Sequence, residues 1–184
     1  MKTKILILIS LIFAAAMLCQ PAVAQDEFKP ITVFLIRHAE REDEPKQDPP
    51  LSKAGIDRSQ ALARLLSNAG IKAILTSQYA RTKQTAEPLA TKLGITVTPF
   101  TLKVNPSNPR QITDESTAEV TNKILENRGA SVLVIGHGNS IPDLIKMLGG
   151  DIVPTIDEKN FDDLYVVTVY AKGKAKVVQL KYGN

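Results

Sequence analysis

Apolar and polar positions alternate between two rhythms along this chain. Residues 31–36, 71–75 and 131–135 are near-continuous apolar runs rich in β-branched side chains, the pattern of strands buried on both faces of a parallel sheet. Between them the apolar positions recur at helical spacing. Ser52 is placed to cap a helix whose stripe is Ile56, Ala61, Leu62, Leu65, Leu66 and Ala69, stopped by Gly70. A second helix is predicted over about residues 79–93, ended by Gly94, with Pro88 expected to kink it. A short strand is predicted at 95–97. A helix over 114–127 opens with Asp114 and Glu115, which suits the helix dipole. Asn139 or Ser140 caps a further helix with Pro142 in its first turn, running to Leu148 and ending at Gly149-Gly150. Residues 164–170 and 176–180 alternate around Gly173, a hairpin signature.

The resulting order is βαβαβ, a loop, αβα and a terminal hairpin. It predicts an α/β fold: a layered α/β/α domain with a mostly parallel sheet and an antiparallel edge. Residues 98–113, with Pro99, Pro106 and Pro109, read as irregular and long enough to be a lid or substrate loop.

The first residues follow a different pattern. Lys2 and Lys4 precede an apolar run over residues 5–18, and Ala22-Val23-Ala24 supplies small residues at a cleavage position. This is the three-part secretory signal, so residues 1–24 are expected to be a signal peptide and 25–184 the working domain, periplasmic or secreted. An uncleaved anchor and lipidation at Cys19 are the alternatives; Leu18 before Cys19 is bulky for the latter. Cys19 is the only cysteine, so a cleaved chain has neither disulfide nor thiolate metal site. No stable membrane span is expected after cleavage. The formal net charge of +4 would fall to +2 without Lys2 and Lys4. Scattered basic residues and the absence of tryptophan argue against nucleic-acid binding.

Both histidines of the chain stand where a strand should end. His38 follows residues 31–36 beside Arg37, and His137 follows residues 131–135 between Gly136 and Gly138. Open α/β sheets place their chemistry at the carboxyl ends of strands. Imidazole is a nucleophile near neutral pH, and an arginine fork matches phosphate oxygens. Adjacent strand residues point to opposite faces, so joint action of Arg37 and His38 predicts that the strand already turns at Arg37. Arg81 is expected in the first turn of the second helix, near the same sheet edge. Thr82 and Thr85 read as packing or capping residues. With two histidines and no cysteine in the mature chain, a metal site would need mostly carboxylates, and Asp162-Asp163 lacks the spacing.

Four segments in order resemble the histidine phosphatase superfamily, the phosphoglycerate mutase-like fold: Arg37-His38-Ala39-Glu40; residues 50–55 with Gln60-Ala61; residues 77–86, similar to that family's Ser-x-x-x-Arg-Thr-x-Gln-Thr-Ala; and Gly136-His137-Gly138-Asn139-Ser140. The resemblance implies a small phosphatase with His38 as the phosphorylated nucleophile. Arg37, Arg81 and His137 would bind the phosphoryl oxygens and assist transfer, and Asn139 would contact substrate. No metal or other cofactor is implied. The partner is then a small phosphorylated substrate or a phosphoprotein.

The chain departs from the resemblance at the general acid. Residues 97–110 contain no Asp or Glu, and Gly138 stands where another branch has aspartate. Glu40, Glu42, Asp43 and Glu115 are the candidates, and a good leaving group such as a phosphohistidine or acyl phosphate would need none. The lack of long insertions favours a phosphatase over a mutase. The net acidic loop over residues 41–48 argues against a highly anionic substrate. The missing acid also motivates an alternative, a phosphate-binding module of the same fold without turnover.

Overall fold

A computed structural model describes residues 28–183; the expected signal segment lies outside them. In chain order the elements are β1 (Ile31–Arg37), α1 (Lys53–Leu66), β2 (Ile71–Ser77), α2 (Ala80–Leu93), β3 (Val97–Phe100), β4 (Val104–Asn105), β5 (Asn108–Ile112), α3 (Asp114–Leu125), β6 (Ser131–Gly136), α4 (Ser140–Met147), β7 (Asp163–Ala171) and β8 (Lys174–Lys181). Six strands form one sheet in the order β3-β2-β6-β1-β7-β8, and β4 pairs with β5 alone. β3, β2, β6 and β1 are parallel. The β7–β8 hairpin adds the antiparallel edge. This is the mixed, mostly parallel α/β architecture expected from the hydrophobic pattern. No helix of the described residues is long and apolar enough to cross a membrane.

The apolar runs are continuous because both sheet faces are covered. Ile31, Val33 and Leu35 of β1 join Val132 and Val134 of β6 in a core closed by Val120 and Ile124 of α3 and Ile141 and Leu144 of α4. Ile36, Leu133 and Ile135 face the other way, onto Leu62 and Leu66 of α1 and Ala86 and Leu89 of α2. Burial of each such side chain contributes roughly 1.5–3 kcal/mol.

Ser52 caps α1 as expected, its Oγ accepting the Gly55 N–H at 3.3 Å. The stripe is rotated from the one predicted, however. The inward face is Gly55, Ser59, Leu62, Ala63 and Leu66, while Ile56 and Leu65 are 52% and 51% exposed. The cause is Gly55: a Cβ there would lie 2.0 Å from the Glu40 carbonyl oxygen. Backbone contact, rather than apolarity, sets the face of this helix.

Helix α2 continues through Pro88 and ends at Gly94, whose φ of +65° gives the left-handed cap. β3 sits two residues later than predicted and carries Pro99, which an edge strand tolerates. Residues 98–113 are not the irregular loop expected. They finish β3 and then form the β4–β5 hairpin, held by Asn105 Oδ1 accepting from Ser107 N at 2.9 Å and by Thr113 N donating to Lys103 O at 2.9 Å. Its strands are mostly exposed, so they carry no burial rhythm to read.

Candidate active site

The register of the parallel strands brings the two histidines together. Arg37 pairs with Gly136 across β1 and β6, and the His38 N–H donates to the Gly136 carbonyl at 3.0 Å. The strand therefore keeps its ladder through Arg37 and leaves it after His38. The expected turn at Arg37 is absent; the length of the arginine side chain lets it serve the same pocket. The imidazole centroids of His38 and His137 lie 5.3 Å apart in an edge-on arrangement.

His38 is 4% exposed. Its Nδ1 lies 2.7 Å from the Ala39 carbonyl. A carbonyl only accepts, so Nδ1 carries the proton and Nε2 keeps a lone pair. Burial is the main force on its basicity, joined by the positive charges of Arg81, Arg37 and Arg41; together they push its pKa from 6.5 down to about 3. The ring is neutral, hence nucleophilic, across the ordinary pH range. The Ala39 N–H in turn donates to Thr85 Oγ1 at 3.0 Å, which fixes the peptide that holds the imidazole.

His137 sits in the turn from β6 into α4. Gly136 is required there: a Cβ would stand 2.6 Å from Ser140 Oγ, the atom that accepts the His137 N–H at 2.9 Å. Ser140 thus supports the turn, whereas Asn139, the formal N-cap, makes no side-chain cap bond. Burial, then the nearby His38, Arg81 and Arg37, lowers the His137 pKa well below the usual imidazole value.

The two arginines are poised as cations in a dry setting. Burial lowers the pKa of each guanidinium without bringing it near neutrality. Nε of Arg37 and of Arg81 is buried with no hydrogen-bond partner among the described residues. Such orphaned donors cost about 1–3 kcal/mol each, and a tetrahedral oxyanion carries the acceptors they lack. Arg37 stacks on Phe161 at 4.3 Å and donates through Nη1 to the carbonyls of Glu158 at 2.6 Å and Asp157 at 3.2 Å. Arg81 lies over Tyr79 at 4.3 Å, and its Nη2 is 3.4 Å from His137 Nδ1.

These side chains line one cavity of about 440 Å³, together with Arg41, Pro109, Arg110, Gly138, Asn139, Ile156 and Glu158. Two larger clefts, about 700 and 600 Å³, run along α1 and α2, but neither contains a histidine or an arginine. Chemistry, not size, selects the site. All five residues singled out from the sequence, Arg37, His38, Arg81, His137 and Asn139, reach the same cavity. Asn139 is partly committed, since its Nδ2 donates to the Arg110 carbonyl at 2.9 Å. Among the described residues no cluster of three or more His, Cys, Asp and Glu could hold a metal ion.

None of the four acid candidates lines the cavity. Glu40 is locked on Arg58 at 2.7 Å and Glu115 lies 3.6 Å from Lys103, while Glu42 and Asp43 are exposed. The one carboxylate at the mouth is Glu158, from a loop that gave no sequence signal. The acidic loop over 41–48 also behaves differently from its composition. Asp48 accepts from Ala80 N at 2.9 Å at the start of α2 and lies 3.5 Å from Arg81 Nη1, and Arg41 is the loop residue that lines the cavity. Arg41 and Arg110, missed in the sequence, make the entrance more basic than expected.

Comparison with known proteins bears on the fold and on residues 33–101. Residues 33–101 match the family model of the histidine phosphatase superfamily (branch 1). A probable phosphoglycerate mutase, GpmB, of Yersinia pestis (strain Pestoides F) is 31% identical over 104 residues, which is 53% of this chain and 42% of the relative. The chain thus aligns with less than half the length of the curated relatives it matches. Among solved structures, the protein histidine phosphatase SixA complexed with tungstate superposes with a TM-score of 0.63 at 23% identity, covering 82% of this chain and 96% of that one. A phosphoglycerate mutase from Bacillus anthracis str. Sterne gives 0.63 at 17% identity, over 84% and 94% of the two chains. At these identities the superpositions show the fold. The family match, spanning Arg37-His38 and Arg81, adds sequence evidence over residues 33–101, where this chain is similar to the histidine phosphatase superfamily.

Proposed function

We propose that the protein is a phosphatase that hydrolyses phosphate monoesters or phosphoamidates through a phosphohistidine on His38, without a metal. The observation that carries this is the state of His38: Nδ1 tied to Ala39 O at 2.7 Å, Nε2 unprotonated, in a cavity shared with Arg37, Arg81 and His137. Superfamily members are phosphatases or mutases, and the lack of long insertions favours the former here.

In the first step His38 Nε2 attacks phosphorus and the bond to the leaving group breaks. Arg37, Arg81 and His137 hold the three peripheral oxygens, so positioning and electrostatics supply most of the acceleration. In the second step water attacks the phosphoryl group and Nε2 is regenerated as inorganic phosphate leaves. With Glu40 and Glu115 paired elsewhere, substrates with good leaving groups suit the site, phosphohistidine and acyl phosphates among them. The SixA likeness is consistent with that class. Export to the periplasm or beyond is part of the proposal and rests on the pattern of residues 1–24.

The test is turnover of an aryl phosphate by the purified protein. The expected result is hydrolysis that survives a chelator and is lost in His38→Ala. Phosphate binding without release of the alcohol would instead identify a binding module.

A further inference from the structure

His137 is held by a chain of hydroxyl groups whose geometry favours one arrangement of protons. Its Nδ1 faces Arg81 Nη2 at 3.4 Å. A guanidinium only donates, so Nδ1 accepts and the single proton of the neutral ring sits on Nε2. Nε2 lies 2.8 Å from Ser77 Oγ and donates to it. Ser77 Oγ must send its own hydrogen onward, to Thr82 Oγ1 at 3.0 Å. Thr82 Oγ1 can accept because its hydrogen is directed to backbone carbonyls, Tyr79 O at 2.8 Å or Ser77 O at 3.0 Å. Ser77 and Thr82 are both fully buried, so no water competes for these bonds.

We propose that Ser77 and Thr82 are positioning residues that keep the His137 proton on Nε2, so that Nδ1 receives the acidic hydrogen of a singly protonated phosphoryl group and the site selects the monoanion of its substrate. This rests on the phosphatase reading above. On binding, Arg81 Nη2 turns from Nδ1, its partner at 3.4 Å in the free site, to a phosphoryl oxygen, which leaves the Nδ1 lone pair for the P–OH hydrogen; on full transfer the pair becomes imidazolium and phosphoryl dianion. No separate acid is needed to neutralise the bound group. The charged groups around the cavity of His137 are Arg37 and Arg41 near the end of β1, Arg81 on α2 with Asp48 3.5 Å from its Nη1, Arg110 on β5 and Glu158 at the mouth, with neutral His38 and the Tyr79 ring alongside. Burial first, then His38, Arg81 and Arg37, keeps the free ring unprotonated, so it meets the substrate as an acceptor.

The experiment combines nitrogen-15 imidazole spectra of the full chain with pH–rate profiles. With two histidines in the chain, assignment follows from His38→Ala. In the free protein the His137 Nδ1 signal is expected to be pyridine-like and Nε2 pyrrole-like between pH 6 and 8. Inorganic phosphate at pH 6 should make both pyrrole-like. In Ser77→Ala, or Thr82→Val if that variant folds better, the two signals should move toward an average. The kcat/KM of either variant should fall roughly 10-fold, and Ser77→Thr should restore it. In the unaltered enzyme kcat/KM should decline as pH rises through the substrate's second ionisation, near about 6 for a simple phosphate ester. That limb should shift with the ester when alkyl and more acidic aryl phosphates are compared. A protonated Nδ1 in the free protein, a limb at the same pH for both esters, or variants with unchanged spectra would overturn the proposal. Failure to trap a phosphoenzyme would overturn the phosphatase reading instead, while the spectra still locate the proton on His137 independently.

Discussion

The floor of the cavity and its rim are built in different ways. The floor is made by strand ends and the first turns of helices: His38 after β1, His137 after β6, Arg81 at the start of α2. Each is placed by ladder bonds and by buried hydroxyls, such as Thr85 on the Ala39 N–H and Ser77 on His137. The rim comes from the β4–β5 hairpin and the loop over residues 151–162, whose side chains are largely exposed. Arg37 joins the two, since it belongs to β1 while its Nη1 binds the carbonyls of Asp157 and Glu158. The contrast assigns chemistry to the rigid part and selection of the substrate to the looser part.

The largest expected difference separates one floor residue from one rim residue. His38→Ala should lower kcat/KM by roughly 10⁴-fold or more, whereas Arg110→Ala should change kcat by less than about 10-fold and act mainly on KM. Steady-state kinetics on one aryl and one alkyl phosphate decide this, and comparable losses in the two variants would erase the division.

Next come the two buried arginines. Arg37→Ala and Arg81→Ala should each lower kcat on the order of 10²–10³-fold. Limited proteolysis then distinguishes them, because only Arg37→Ala removes the tie to the loop over 157–160 and should quicken cleavage there.

The pH dependence is a milder probe of the floor. The His38 pKa is depressed from 6.5 to about 3, so the nucleophile stays unprotonated down to about that pH, and kcat/KM should not fall through the usual histidine range on acidification. The sign for stability is the opposite of a protective one. Below pH 6.5 the unfolded chain binds a proton that the native chain refuses, so stability is lost as pH falls toward 3. Thermal melts between pH 7 and 4 should show the decline, and inorganic phosphate should offset it by favouring the folded state.

The smallest effect belongs to Glu158. Removing its charge from the mouth in Glu158→Gln should tighten inorganic phosphate by about two- to five-fold at low salt, with the gain shrinking as salt screens it. Titration calorimetry at two ionic strengths measures this. Weaker binding would show that Glu158 supports the anion site rather than opposing it.

The same division governs what the sequence could reveal. Residues 31–36 and 131–135 announced two buried strands, and a histidine directly after such runs is visible without coordinates. The helix start at Ala80 then places Arg81 at the same edge. The α1 stripe misled because its inward face includes Gly55 and Ser59, chosen for backbone contact and not for apolarity. Thr82 and Thr85 read as simple packing residues because their role lies in what they bond across the fold, 46 residues away in the case of Thr85 and Ala39. Arg110, on an exposed hairpin strand, and Glu158, in a loop, were invisible because exposed positions follow no burial period. The charge of the loop over 41–48 misled for a related reason: composition does not say that Asp48 is taken up by the helix start and by Arg81 while Arg41 lines the cavity.

The central claim is that His38 Nε2 carries the phosphoryl group during turnover. Rapid quench with an aryl phosphate, followed by mass spectrometry of the peptide that holds His38, tests it most directly. The account predicts one acid-labile phosphoryl group on His38, formed as fast as the first alcohol is released and absent from His38→Ala. Steady release of product with no phosphorylated peptide, or phosphorylation at any other residue, would contradict it.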